Sequence, residues 1–287
     1  MSTVWSKEIQ SSEILYYSRA SRFNDFNKDE WFDLLQIKDG FKVLEVGCGP
    51  GHFTNMIKKY YPNCEVYGVD LDENHIEFAK EKAKELGLEI NYMTGDATSL
   101  PFENESFDII FSHTLVEHLP FDQFISEQKR LLKNNGKLVS IHVDSKRKHI
   151  NQFNYKKEEI DAIYDQLQFE ESKHNVGQYV KATDEYLAEF LKFGMKNPYV
   201  QFKEIMFYFP FQAKSKDEAI MQIKNQEISE IANEEFTLQM ARNGEDFRDK
   251  LLSLVQEKYA ERMRLYLENQ NIFDYESTAI VVYTATK

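Results

Sequence analysis

Val43-Leu44-Glu45-Val46-Gly47-Cys48-Gly49-Pro50-Gly51 is an apolar run that breaks into glycines at alternate positions. Val43, Leu44 and Val46 are β-formers in a short hydrophobic stretch, which predicts a strand covered on both faces. The glycines let a backbone approach a ligand with no Cβ in the way. Pro50 suits a first helical turn, so a helix is expected from Gly51 to Tyr61. A strand-turn-helix of this kind presents N–H groups at a helix N-terminus, where a negative group can be held. The dinucleotide fingerprint G-x-G-x-x-G is a poorer fit, because the third glycine comes one residue early and His52 stands where that pattern wants its last glycine.

Two carboxylates sharpen the reading. Glu45 lies inside the strand, and Asp70 ends a second apolar run, Val66-Tyr67-Gly68-Val69-Asp70. An acid at the end of a second strand, about 20 residues past the glycines, suits a ribose diol. Glu-x-Gly-x-Gly-x-Gly with such an acid resembles the first two motifs of class I methyltransferases that use S-adenosylmethionine. The resemblance continues through Thr94-Gly95-Asp96-Ala97, through Leu100-Pro101-Phe102 before Phe107-Asp108-Ile109-Ile110, and through Leu131-Leu132-Lys133 to Leu138. It covers residues 40 to 143 in order and register.

That resemblance implies a Rossmann-like α/β fold with a seven-stranded, mostly parallel sheet and an antiparallel last strand pair. It also implies S-adenosyl-L-methionine as cofactor and S-adenosyl-L-homocysteine as product. Gly47, Cys48, Gly49 and Gly51 would pass under the methionine part, with Glu45 near its ammonium group. Asp70 would take the ribose hydroxyls, Leu71 the adenine face, and Asp96 with the Ala97 backbone the adenine amino group. Ser112, at the carboxyl edge of the fourth strand, would make a backbone contact.

Composition narrows the partners. The chain has 287 residues, 42% hydrophobic and 29% charged, and a net charge of −13. Nucleic-acid backbones need basic surface, so an acidic balance argues against them. Lys146-Arg147-Lys148-His149 is the one tight basic cluster and reads as a solvated loop. Two cysteines, Cys48 and Cys64, exclude a disulfide scaffold and suit a reducing cytoplasm. The first residues show no apolar leader and no run reaches bilayer-spanning length, so no membrane partner is expected.

In chain order, residues 1–36 read as an N-terminal helical lid, with two amphipathic helices carrying Ile14, Leu15 and Tyr17, then Phe23, Phe26, Trp31, Phe32, Leu34 and Leu35. Packing of these aromatics on the sheet edge is the competing reading. Residues 37–144 form the cofactor-binding core, with strand and helix signals in alternation. Asp72 caps a helix whose Ile76, Ala79, Ala83 and Leu86 share a face and which Gly87 ends. Further strands are expected at Leu88–Thr94, Phe107–Ser112 and Lys137–Val143, with a helix at Phe121–Lys133 before the Asn134-Asn135-Gly136 turn.

The family pattern then loosens. Residues 145–182 read as a cap insertion with a helix from Lys156 to Phe169 and a loop at Gly177-Gln178-Tyr179. Residues 183–210 return to the core with a helix N-capped by Thr183 and a strand from Gln201 to Phe209. Residues 211–270 read as a second helical cap, and 271–287 hold the last strand, from Ser277 to Thr286. Tyr155, Phe169, Tyr179, Phe207, Tyr208, Phe209 and Phe211 supply aromatics for a dry acceptor pocket.

The chemistry implied is methyl transfer to a small molecule with an apolar or aromatic body. A sulfonium methyl is already activated, so alignment supplies most of the catalysis. A base is needed only for a protonated acceptor. His113 and Tyr17 are the catalytic candidates, with Tyr16 and His142 behind them. His113, Glu117 and His118 do not match the H-E-x-x-H metal pattern, and no metal is expected. Three rival readings are a nicotinamide oxidoreductase, a protein or peptide methyltransferase, and a non-catalytic cofactor-binding scaffold.

Overall fold

The expected first strand is β1 (Lys42–Val46), and the glycine turn after it leads into α3 (His52–Tyr60). The structure is a computed structural model that describes residues 5–151, 153–169, 179–208, 210, 213–270 and 274–287. β2 (Glu65–Asp70), β3 (Asn91–Thr94), β4 (Phe107–His113), β5 (Leu132–Asn151), β6 (Lys196–Tyr208) and β7 (Tyr275–Thr286) complete a seven-stranded sheet. Its order is β3-β2-β1-β4-β5-β7-β6. Strands β1 to β5 pair in parallel, while β7 runs antiparallel between β5 and β6. This is the Rossmann-like methyltransferase arrangement.

Alternation along the strands builds two cores. Val43, Ile109, Val139 and Val282 face one side, where α2 (Lys28–Leu35) and α3 add Trp31, Leu35, Phe53 and Ile57. Leu44, Ile110, Leu138 and Val281 face the other, against α5 (Phe121–Leu131) and α7 (Thr183–Lys192). Period-two burial on both faces is what a central strand requires. Chain order reverses between β1 and β4, and ligands bind outside the carboxyl ends of strands at such a point.

The N-terminal stretch divides in two. α2 is core, with Trp31, Phe32, Leu34 and Leu35 all buried, so the packing reading holds for this part. α1 (Ser12–Arg22), N-capped by Ser11, crosses the carboxyl edge of the sheet and packs along α8 (Lys216–Met240). With α6 (Lys157–Tyr164) and α9 (Arg248–Leu267), α8 forms a helical cap around Ile163, Ile223, Leu251 and Val255.

Several boundaries differ from expectation. β5 runs on to Asn151 because residues Lys148–Asn151 pair with Thr278–Tyr275, so the sheet extends into the expected cap. β6 begins at Lys196, and α6 ends at Tyr164. Leu86, expected on the apolar face with Ile76, Ala79 and Ala83, is the C-cap of α4 (Glu73–Glu85) and lies exposed, since the helix ends before its face can be covered. The N-cap of α7 is Ala182, whose N–H donates to Glu185 Oε2 at 2.6 Å; the Thr183 hydroxyl instead lies 3.1 Å from the Tyr283 hydroxyl. Gly177, Gln178, Phe209 and Phe211 lie outside the described residues.

Candidate active site

The glycine turn is closed by β2. Gly47 and Cys48 N–H donate to the Val69 carbonyl at 2.7 and 3.0 Å, Gly49 N–H to Asp70 Oδ2 at 2.8 Å, and Gly51 N–H to the Cys48 carbonyl at 3.1 Å. The expectation of free turn amides for an anion is therefore corrected for these residues. Backbone donors near a strand end are satisfied by the neighbouring strand when it lies in reach.

Asp70 thereby fixes the turn, and its Oδ1 also accepts from Asp72 N–H at 2.9 Å. Burial pushes its carboxyl pKa up against these donors and His75. A carboxylate has about four acceptor positions, so two remain for ligand hydroxyls. Leu71, beside it, is 52% exposed at the edge of the crevice. Asp96 is exposed and uses Oδ1 on Thr98 N–H and hydroxyl at 2.8 and 2.7 Å; Gln128 Nε2 donates to the Ala97 carbonyl at 2.7 Å. All four stand at the carboxyl ends of β2 and β3.

Glu45 is buried and accepts from the Thr54 hydroxyl, and burial pushes its carboxyl up to about 8. The Cys48 side chain turns away from the crevice into a cluster with Ile76, Ala79, Ala83 and Tyr92. Gly51 serves the same packing: at φ +82° it faces the Tyr92 hydroxyl and the Ala79 methyl. Above the turn, Leu15 of α1 reaches to 3.0 Å of a Cβ position on Gly49, and Leu115 to 2.8 Å of one on Gly47. The Ser112 side chain is fully buried and lies 3.3 Å from Ser140 Oγ, which leaves its backbone as the group at the edge.

The four candidate bases fall into different surroundings. Tyr16 is buried edge-on to His52 and Tyr17, at 5.0 and 5.4 Å between ring centres, and burial raises its pKa. His113 is caged by the rings of Phe23 and Trp31 at 4.9 and 6.2 Å, and burial drives its pKa well below the usual imidazole value. Tyr17 is part-buried against Tyr16. His142 lies within β5, opposite Val281 of β7 and 3.7 Å from a Glu117 carboxylate oxygen, and burial lowers its pKa to about 3.

Two residues of the site have no sequence motif. Arg19 of α1 donates from Nη2 to Thr114 Oγ1 at 3.1 Å, and burial lowers its pKa to about 9 while Glu45 and Glu117 oppose the shift. Thr114 holds φ +49°, a left-handed conformation that a β-branched residue rarely adopts and that marks functional sites.

The start of the chain straps the crevice. Ser6 N–H donates to Asp72 Oδ2 at 2.9 Å, Ser12 Oγ lies 2.8 Å from His75 Nδ1, and the Trp5 ring meets His118 edge-on at 4.8 Å. These contacts span from the end of β2 to the turn after β4. Amides of residues 5–22 are expected to exchange more slowly when S-adenosylhomocysteine is added, because a bound ligand tightens a lid. Identical hydrogen exchange in both states would remove these residues from the lid. Among the described residues, no group of three or more His, Cys, Asp or Glu is placed to hold a metal ion, and no helix is long and apolar enough to cross a membrane.

The sheet order, with carboxylates near the ends of β1 and β2, defines a Rossmann-like fold with a candidate site at its carboxyl edge. Residues 44–140 match the model of the methyltransferase domain family. The chain is 34% identical over 117 residues to a demethylmenaquinone methyltransferase of Bacillus cytotoxicus, across 40% of this chain and 49% of the relative. It is 38% identical over 98 residues to a ubiquinone biosynthesis O-methyltransferase of Bartonella bacilliformis, across 34% and 39%. The chain thus spans about half the length, or less, of these curated relatives.

Solved structures share the fold at low identity. Phosphoethanolamine N-methyltransferase 2 of Haemonchus contortus, in complex with S-adenosyl-L-methionine, superposes with a TM-score of 0.54 at 20% identity, over 99% of this chain and 59% of that one. The [4+2]-cyclase SpnF superposes with 0.51 at 16%, over 90% and 78%.

Proposed function

We propose that the protein transfers the methyl group of S-adenosyl-L-methionine to a small-molecule acceptor with an apolar or aromatic body. The observation that supports this is the placing of Glu45, Asp70, Leu71 and Asp96 in or just after the carboxyl ends of β1, β2 and β3, beside the reversal between β1 and β4. When bound, the cofactor supplies a methyl carbon already activated by a sulfonium. Asp70 offers its remaining lone pairs to the ribose hydroxyls, Leu71 its exposed side chain to the adenine, and Asp96 with the Ala97 backbone a site for the amino group. Glu45, Gly47, Cys48, Gly49 and Gly51 shape the methionine end, where the Ser112 backbone also lies. Arg19 stands there as a cation for the carboxylate.

The remaining catalysis is alignment and exclusion of water, and holding two reactants in line can lower a barrier by about 7–11 kcal/mol. α1 and the cap close the crevice. His113 is not the base we favour, because Phe23 and Trp31 enclose its ring; Tyr17 stays the more open of the two first candidates. Names of the relatives support a small-molecule acceptor, and the acidic net charge disfavours nucleic acid. A cytoplasmic location suits the two free, buried cysteines.

Titration calorimetry with S-adenosylmethionine tests the cofactor reading. Asp70→Ala is expected to weaken binding by about 1–3 kcal/mol, the usual consequence of stranding hydrogen-bonding groups. Unchanged affinity would remove Asp70 from the ribose. Release of S-adenosylhomocysteine with an added acceptor separates transfer from binding alone.

A further inference from the structure

Glu117 carries a carboxylate that the protein itself leaves unfinished. It sits in the short helical turn Val116–His118 after β4, and its Oε2 is buried with no hydrogen-bond partner. An unpartnered buried carboxylate oxygen is costly. His142 Nδ1 faces it at 3.7 Å, too far for a hydrogen bond. An oxygen about 2.8 Å from each atom would close a triangle on that separation.

The surroundings are built for a polar group on an aromatic body. His142 Nε2 lies 3.2 Å from Ser140 Oγ, and Ser140 Oγ lies 3.3 Å from Ser112 Oγ, so the imidazole is held from behind. The rings of Tyr186 and Tyr283 stand 5.0 and 4.9 Å from it. Tyr179 N–H donates to the Glu117 carbonyl at 3.0 Å, which fixes the turn from the cap side. Arg19 Nη2 donates to Thr114 Oγ1 just after β4, three positions before Glu117, which sets Glu117 near the same carboxyl edge of the sheet. A nearby guanidinium opposes an ammonium and favours an oxygen that gains negative charge.

Resting on the methyltransferase reading above, we propose that Glu117 takes the proton of a phenolic hydroxyl acceptor held between it and His142, and that the methylated atom is oxygen. The O–H bond breaks with its electrons left on oxygen and the proton on Glu117 Oε2. Oxygen bonds to the methyl carbon, and the carbon–sulfur bond breaks with its electrons on sulfur. The groups facing Glu117 are Arg19 of α1, His142 of β5 and Tyr186 of α7. Burial raises the Glu117 pKa against Arg19, which moves a carboxylate toward the range of a useful base.

The test incubates the full chain with S-adenosylmethionine and catechol, 2-naphthol, benzylamine or thiophenol, and identifies products by mass spectrometry. A phenol is expected to give its methyl ether. Glu117→Gln is expected to lower kcat by ~10²–10⁴-fold with cofactor Kd within about twofold, and Glu117→Asp to restore part of it. In the unaltered chain kcat/KM should rise with pH as Glu117 ionises, and the Gln variant should lose that limb. A Glu117→Gln effect below about tenfold, turnover of benzylamine or thiophenol alone, or cofactor binding with no phenol turnover would each overturn the proposal. Failure of the unaltered chain to bind S-adenosylmethionine at all would bring down the reading on which it rests, and this proposal with it.

Discussion

Asp274→Ala is expected to destabilise the protein by about 3–5 kcal/mol in urea unfolding, the range for removing one partner of a buried ion pair. Arg262 of α9 and Asp274, just before β7, are 4% and 7% exposed along their side chains and form a direct ion pair. Arg262 Nη1 also donates to Gln226 Oε1 of α8 at 2.9 Å, and its guanidinium lies over the Tyr259 ring. The pair therefore ties both long cap helices to the strand that enters the sheet between β5 and β6.

Burial lowers the Arg262 pKa to about 10 and raises that of Asp274, so desolvation outweighs the attraction for each group. Such a pair adds little net stability, yet leaving one charge alone is expensive. The double variant Arg262→Met with Asp274→Leu should accordingly recover much of the loss. Asp161→Ala, which breaks the exposed pair with Lys157 on α6, should change stability by no more than about 0.5 kcal/mol. An Asp274→Ala effect as small as that of Asp161→Ala would show that the cap is not anchored here.

Gly51→Ala is expected to cost about 2–5 kcal/mol. Its φ of +82° carries a penalty of roughly 1–2 kcal/mol for any residue with a Cβ. The new methyl would also lie 2.8 Å from the Ala79 methyl and closer to the Tyr92 hydroxyl. Overpacking of this kind adds about 1–3 kcal/mol. Tyr92 has little freedom to yield, because its hydroxyl lies 2.9 Å from both the Gly51 carbonyl and Asn55 Oδ1. Gly87→Ala is the control: φ is +66°, but nothing lies within 4 Å of the added carbon, so only the backbone penalty should appear. Equal losses for the two variants in thermal or urea unfolding would refute close packing at Gly51.

The cofactor half was legible because its signals are local. An apolar run, alternate glycines and a strand-end acid place β1, its turn and Asp70 within one short stretch, and strand pairing keeps them together. Roles were less legible than positions. Gly51 reads as a ligand cradle, whereas its neighbours are Tyr92 and Ala79; Cys48 likewise turns into a packing cluster. The turn amides read as free until β2 brings Val69 and Asp70 against them.

What the sequence determined by itself is the class of fold and the strand ends around which the candidate crevice is proposed, since period, spacing and turn chemistry are properties of neighbouring residues. Only the tertiary structure decided which remote side chains complete that crevice. It enclosed His113 in aromatic rings from α1 and α2's flanks, and it set Arg19 on Thr114 across 95 positions of chain. It also brought Glu117 opposite His142, beside Tyr186 and Tyr283. The physical reason is that these groups meet through helix docking and the antiparallel insertion of β7, and no local pattern encodes a contact made by packing.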